Sequence, residues 1–580
     1  MEGSVTPGPG AEQGLTTGLR RVGLIEQRFK LSRVRGEFGG PVRSNDYDAI
    51  VIGGGHNGLV AAAYLARSGA RVVVLEARHK VGGATSTDTP WPEAPEFKVT
   101  TYSYVMSLMP EHIINELRLP QHGYKVFPMG PYYLAFPDGT ALTMSGDENE
   151  RDSVRYYSKR DADTLPQWRE WMGGIAEVLA PLLLSIPPNV GSRRPGDLME
   201  LVKLAWRFKG LDTRRVGDIT RLMTMSISDL LDDWFESPQV KAALAVDGII
   251  GTWAGPAEPG TAYVMAHHEI GDAGIGMGSW GYPEGGMGAV ADACRRSAES
   301  FGAEVRCNAR VSRIRTRNGR AVGVVLDSGE ELSAPTVVTA VHPAITFLQQ
   351  LERKELPEDF VNEIEKFRSR SGTVKVNLAL SELPDFIATP GTQAGEHHGG
   401  AIELAHSVDY IERAFQDARE GRPAAQPFSD GVIPTVFDKT LCPEGYHIMS
   451  LFTQWVPHEY SQEPHRDELE AYADRVIDGY NELAPNFKSS IVHRQVVGPH
   501  DMEQEIGLIG GNIFHGELSV DQLFHMRPAP GYADYRTPVK GLYQASSATH
   551  AGGGVCGIPA YNCVKQIQRD HKRRRFSRKG

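Results

Sequence analysis

The stretch DYDAIVIGGGHNGLVAAAYLARSGARVVVLEARHKVGGATS, residues 46–86, decides the fold. Residues 47–52 read as a buried strand of the kind found in parallel sheets, and they run straight into Gly53, Gly55 and Gly58. Those glycines satisfy G-x-G-x-x-G, and each has a mechanical reason to be there: a tight turn, backbone approach to a pyrophosphate, and close packing of the next helix on the strand. Residues 59–67, rich in alanine, continue as that helix, which Gly69 ends. Its amino terminus aims free N–H groups and the positive end of the helix dipole at pyrophosphate oxygens. Residues 71–75 form a second strand and deliver Glu76 about 20 residues after the glycines, where a carboxylate accepts hydrogen bonds from the adenosine ribose hydroxyls. A glycine triplet alone also serves ordinary turns; the strand, the helix and the terminal acid together specify a dinucleotide-binding unit. Glu76 disfavours an adenosine carrying a 2′-phosphate, which leaves FAD and NAD.

Around this unit the chain has 580 residues, 41% of them hydrophobic and 23% charged, with 63 glycines. That length is ample for a buried core and too great for one simple domain, so two or more domains with interleaved segments are expected. A formal net charge of −11 repels phosphate backbones and excludes nucleic acid as a partner. The exception is the basic tail Lys572, Arg573, Arg574, Arg575, Arg578 and Lys579, read as a solvated chain end. Five cysteines with no C-x-x-C pair argue against a disulfide framework, a zinc ribbon or a dithiol redox centre and fit a reducing compartment. The most apolar run, residues 178–186, is interrupted by Pro181 and followed by Pro187 and Pro188, far short of the ~20 residues of a membrane span. Residues 1–45 lack the apolar core of a secretory signal. Arg20, Arg21, Arg28, Arg33 and Arg35 alternate with apolar residues as in a mitochondrial presequence, but Glu2, Glu12, Glu26 and Glu37 count against one. A flexible extension on a cytoplasmic protein is expected, with the mitochondrial matrix as the alternative.

Further motifs extend the argument. Arg78 is followed by Gly82, Gly83 and Ala84. This second glycine pair resembles the double-glycine motif of the FAD superfamily that includes glutathione reductase-like, amine oxidase and carotenoid desaturase flavoproteins. The resemblance implies that the segment lies along FAD, with the arginine near its phosphates or ribose. Near the carboxyl end a short strand at 541–543 leads through Ser546, Ser547, Ala548, Thr549, His550, Ala551, Gly552, Gly553 and Gly554 into a helical run through Tyr561 and Val564. This is similar to the closing FAD motif of phytoene desaturases, with one departure: Ser546 and Ser547 stand where many members carry Gly-Asp, so a hydroxyl replaces a carboxylate and weaker FAD affinity is implied. Together with residues 280–288 (WGYPEGGMG) and 508–527, these tracts resemble the pyridine nucleotide-disulfide oxidoreductase domain-containing protein 2 family within the phytoene desaturase (carotenoid oxidoreductase)-like FAD flavoproteins, and bacterial carotene ketolases. By that likeness Gly285, Gly286 and Gly288 precede a helix from Ala289, residues 304–315 form a strand, and Val311 touches the adenine through its backbone.

Candidate active-site groups are fewer. Trp253, Trp280 and Tyr282 flank glycine-rich loops and read equally as walls of an apolar tunnel or as anchors. His550 sits in the closing loop, where an imidazole could face the isoalloxazine or make a structural hydrogen bond. The adjacent pairs His267 with His268 and His397 with His398 should send their side chains apart, which disfavours metal ligation. Asp197 with Glu200 reads as a capping box opening a helix over 198–209, whose apolar residues either pack on their own domain or dock on a membrane surface. Alternation at 374–380 and 447–452 predicts a mixed or antiparallel sheet.

The resulting expectation is an α/β fold in which a Rossmann-type FAD-binding domain of the glutathione reductase-like superfamily is interleaved with an α+β substrate domain. The order is a flexible extension (1–45), FAD segments at 46–130, 281–345 and 501–570, substrate segments at 131–280 (mostly helical) and 346–500, and a basic tail (571–580). The expected cofactor is FAD, held by Gly53, Gly55, Gly58, Glu76, Arg78, Gly82, Gly83, Ala84, Val311, Ser547, Gly553 and Gly554. The expected reaction is hydride transfer from an apolar substrate to flavin, with dioxygen, a quinone or another acceptor as oxidant. Alternatives are an amine oxidase-like enzyme and a flavin-fold binding or regulatory protein without turnover.

Overall fold

The computed structural model describes residues 46–276 and 278–577; the N-terminal extension, Met277 and the last three residues of the basic tail lie outside the described residues. The residues around the glycine motif build a five-stranded sheet in the order Leu542–Gln544, Thr336–Thr339, Ala49–Ile52, Val72–Leu75 and Glu304–Arg306. Every pairing in it is parallel, and Ile52 stands between Leu75 and Thr339. The central strands are buried along their whole length, which is why they read as unbroken apolar runs. One face is covered by helices His56–Arg67, Met287–Ser300 and Ile558–Ser577, through Leu59, Val60, Val290, Cys294, Cys563 and Ile567. The other face carries an antiparallel meander, Val311–Arg317, Arg320–Leu326 and Glu331–Ser333, packed through Ile314, Val324 and Leu332.

The second sheet has seven strands, in the order Ile491–Val497, Thr373–Leu380, His447–Gln454, Phe428–Val432, Ala401–Leu404, Tyr132–Ala135 and Ala141–Met144. It is mixed, because Ala401–Leu404 runs parallel to Tyr132–Ala135 while all other neighbours are antiparallel. Seven helices between Glu148 and Glu269 pack beside it, several opened by side-chain caps. Asp147, Ser158, Asp212, Ser226 and Ser237 each accept a hydrogen bond from a backbone N–H in the first turn of the helix that follows. None of the helices among the described residues is long and apolar enough to cross a membrane.

Several local expectations give way. The strand expected over 304–315 is two strands, Glu304–Arg306 in the parallel sheet and Val311–Arg317 in the meander, separated where Asn308 takes a φ of 52°. The helix expected from a capping box at Asp197 opens three residues earlier, as Pro195–Phe208, with Arg194 at the cap and Pro195 in the first turn. Asp197 is instead buried, and Glu200 pairs with Arg569 at 3.3 Å. The closing helix runs through Ser577, so most of the expected basic tail continues a helix. His397 and His398 do not diverge: the short helix Glu396–Gly399 leaves their rings 3.9 Å apart, with His398 Nε2 against the Pro384 carbonyl oxygen at 2.8 Å.

Candidate active site

A cavity of about 750 Å³ runs between the two sheets. Val311, Arg310 and Asp327 line one end; Gly53, Gly55, Glu76, Arg78, Gly82, Gly83, Ala84, Ser547 and Gly554 line its course; Tyr104, Ile250, His268, Trp280, Phe452 and Phe514 line the other end. Its size is that of a cofactor or ligand site.

The glycines separate into two kinds. A Cβ on Gly58 would stand 1.9 Å from the Gly53 carbonyl oxygen, and one on Gly82 would stand 2.3 Å from that of Thr85. Both are glycines because the protein packs against itself there. A Cβ on Gly55 would meet only the Gly82 carbonyl oxygen, at 3.8 Å, an ordinary contact. The space over Gly55 at the start of the first helix is left for a ligand. Glu76 is buried at the end of its strand, with Oε2 accepting from Gly54 N–H at 2.7 Å and Oε1 from Arg78 N–H at 2.8 Å. Each oxygen keeps a second lone pair for a ribose hydroxyl. Five buried side-chain atoms of cavity-lining residues lack a hydrogen-bond partner among the described residues: Arg78 Nη1, His56 Nε2, Asn57 Oδ1, His515 Nδ1 and Gln350 Oε1. An orphan buried polar group costs about 1–3 kcal/mol, so a polar ligand along this wall relieves a standing deficit. A guanidinium N–H, two imidazole nitrogens and two amide oxygens suit the phosphate, ribityl and ring atoms of FAD.

The closing loop completes the wall. Ser547 Oγ accepts from Asn57 Nδ2 at 3.0 Å, tying the loop to the first turn of the first helix. Behind it lies the fully buried guanidinium of Arg527, which donates to the carbonyl oxygens of Glu517 (2.9 Å), Phe514 (2.9 Å), Gly516 (3.1 Å) and Ser547 (3.1 Å). Gly553 stands behind the wall: its Cβ would fall 2.2 Å from Phe514 Cα, and its carbonyl oxygen meets His267 Nε2 at 3.2 Å. His550 also turns away. Its Nε2 lies 3.0 Å from the Leu182 carbonyl oxygen, and burial lowers its pKa to about 4, so the ring is a neutral structural group. Val311 lines the far end with its own carbonyl oxygen held by Gln350 Nε2 at 3.0 Å.

At the opposite end the mixed sheet supplies the wall through Phe452. Directly across four strands, Lys375, Phe452, Asp430 and Glu403 stand in register. Tyr104 stacks on Phe452 with ring centroids 5.4 Å apart, holds the Lys375 ammonium over its ring at 4.6 Å and donates its hydroxyl to Asp430. Lys375 Nζ donates to Ser450 Oγ at 2.6 Å, and Ser450 in turn donates to Asn377 Oδ1 at 2.8 Å. Burial brings the Lys375 pKa down to about 7 and pushes the carboxyls of Asp247, Glu403 and Asp430 up, each disfavouring charge where water is excluded. Lys375 is thus poised to hold or release a proton near neutral pH, one aromatic layer behind the cavity.

Of the expected active-site aromatics only Trp280 reaches the cavity, with its ring 5.6 Å from that of His268. Tyr282 is buried and donates to the Gly399 and Gly400 carbonyl oxygens at 3.1 Å, and Trp253 packs on Phe415 and His458. Sequence reasoning passed over Asn57, Tyr104, Phe452, Arg527 and Lys375. Lys375 left a signal: a lysine within TVKVNLAL, a strand otherwise fit for complete burial, asks for a reason.

Comparison with known proteins agrees with this geometry. Residues 51–112 match the NAD(P)-binding Rossmann-like domain family, and residues 253–414 match the flavin containing amine oxidoreductase family. A putrescine oxidase variant redesigned in its cofactor binding shares the fold, with a TM-score of 0.58 and 18% identity over 91% of this chain and 99% of that one. A limonene dehydrogenase polypeptide of Castellaniella defragrans is 27% identical over 90% of this chain and 94% of its own length. Pyridine nucleotide-disulfide oxidoreductase domain-containing protein 2 of Rattus norvegicus is 38% identical over 91% of this chain and 94% of its own. With the glycine cradle, the ribose-binding acid and the mixed-sheet wall in place, the chain belongs to the pyridine nucleotide-disulfide oxidoreductase domain-containing protein 2 family and is an FAD-dependent oxidoreductase.

Proposed function

We propose that this enzyme oxidises or desaturates an apolar substrate, as phytoene desaturase- and carotene ketolase-like enzymes do. The observation that carries the reading is the substrate end of the cavity, where Tyr104, Ile250, Trp280, Phe452, Ile513 and Phe514 present rings and alkyl groups. A relative named for dehydrogenating limonene, a hydrocarbon, supports the same substrate class. Bound FAD supplies the chemistry, accepting two electrons and a proton as hydride from a substrate C–H. The protein's own residues exclude water with this apolar wall and orient the substrate against it. In this reading Tyr104, whose hydroxyl donates to Asp430 and whose ring carries Lys375, would hand on the proton that leaves the substrate when a double bond forms. The oxidant that regenerates the enzyme is dioxygen, a quinone or another acceptor. The enzyme works in a reducing compartment, the cytoplasm or the mitochondrial matrix.

The match to the amine oxidoreductase family favours amines as the second substrate class. The test is the visible spectrum of the FAD-loaded protein during anaerobic addition of donors. Bleaching of the oxidised-flavin bands by terpene or polyene donors, with amines inert, is the expected result. Bleaching by amines alone transfers the assignment to amine oxidation. Retained FAD that no donor bleaches points to a binding or regulatory protein.

A further inference from the structure

Helix Pro195–Phe208 packs one side on the protein and leaves the other without a partner among the described residues. Its inner side is held by the buried Asp197, by Leu204 and Phe208 against the helical core, and by Arg207 Nη1, which donates to the Pro181 carbonyl oxygen at 3.0 Å. On its outer side Leu198, Met199, Val202 and Trp206 are 48%, 56%, 55% and 70% exposed. Leu198, Val202 and Trp206 follow each other at four-residue spacing, which lines them up in one stripe, with Met199 beside them. Of the thirteen large apolar side chains that are exposed among the described residues, six lie between residues 190 and 216, the other two being Val190 and Val216. Scattered exposure is normal, but this concentration marks an interaction surface.

Charge identifies the occupant. The whole chain carries −11, yet residues 193–215 hold seven cations (Arg193, Arg194, Lys203, Arg207, Lys209, Arg214 and Arg215) against three acids (Asp197, Glu200 and Asp212). Of these acids, Asp197 is buried and Glu200 is paired with both Lys203 and Arg569. Arg569 belongs to the closing helix, so the helix whose sequence goes on to Lys572, Arg573, Arg574 and Arg575 passes beside the same surface at Arg569. Lys209 Nζ lies 4.9 Å above the Trp206 ring, which places a cation against the aromatic at the rim of the apolar stripe.

We propose that this helix is the docking face for an anionic lipid bilayer. Leu198, Met199 and Val202 enter the acyl boundary, Trp206 sits at headgroup depth, and Lys203 and Lys209 meet lipid phosphates. The experiment is co-sedimentation of the full-length, FAD-loaded protein with phosphatidylcholine vesicles, with or without phosphatidylglycerol. Binding is expected only with phosphatidylglycerol and should weaken as salt rises. A double Val202→Asp, Trp206→Asp variant should bind about tenfold more weakly at an unchanged melting temperature, since these side chains support no packing. Equal binding by the variant would assign any lipid affinity to the basic chain end and overturn the proposal. So would absence of binding, a dimer that the same variant dissolves, or binding that appears only after residues 1–45 are removed.

Discussion

Gly55 and Gly58 stand three positions apart in one motif and answer to different neighbours. Gly58 is constrained by the protein's own backbone, so Gly58→Ala should destabilise the apoprotein by about 1–3 kcal/mol. Gly55 has ordinary backbone angles (φ −68°, ψ 169°) and open space above it. Gly55→Ala should therefore leave the melting temperature of the apoprotein unchanged while FAD affinity falls by about tenfold or more; a flavin titration beside a thermal melt separates the two effects. Ser547→Ala removes the acceptor that positions Asn57, a bond worth about 1 kcal/mol, and should loosen FAD about fivefold. An unchanged dissociation constant would show that the closing loop is held without this bond, by Arg527, His267 and His550.

At the scale of elements, Arg527 joins the 514–522 segment to the closing loop through five carbonyl oxygens, that of Gln522 at 3.4 Å being the fifth. Arg527→Met keeps the volume and orphans those acceptors, so urea unfolding should show a loss of about 3 kcal/mol or more, and FAD should dissociate faster. Nothing in the local sequence announces this brace, because its partners are backbone atoms whose side chains carry no trace of the contact. The same reasoning explains the rest of what could be foreseen. The first βαβ unit was legible because each of its residues meets a local rule: apolar run, glycine turn, helix start, terminal acid. The row Lys375, Phe452, Asp430 and Glu403 was not, because it forms only when four strands far apart in the chain come into register. Of the two roles open to His550 in the closing loop, the structure has the structural hydrogen bond, with its ring turned to the Leu182 carbonyl oxygen. The helix at Pro195–Phe208 opened early because proline is well suited to a first turn and the Asp-to-Glu spacing within it was incidental.

Across the whole molecule, burial holds many histidines neutral. His56, His268, His515 and His550 are lowered to about 4 and His267 to about 3, with His342 also well below its ordinary value. Below about pH 6.5 the unfolded chain protonates these imidazoles while the folded chain does not, so stability is lost as pH falls towards 4. The buried acids Asp247, Glu269, Glu403 and Asp430 work the other way, since their raised values let the folded state keep protons that the unfolded state releases. Histidines held low by burial outnumber the acids held high among the described residues, so the balance favours loss of stability as pH falls. The melting temperature should fall steadily from pH 7 to pH 5; a rise would show that the acids dominate. The parallel sheet has a consequence for synthesis. Its edge strand Leu542–Gln544 hydrogen-bonds to Thr336–Thr339, which in turn flanks Ala49–Ile52. A nascent chain emerging from the ribosome can form its glycine loop early, but the closing loop and its helix arrive only with the residues beyond Leu542. Flavin capture therefore waits on the closing loop, and until that loop is made the cleft stays open on one side.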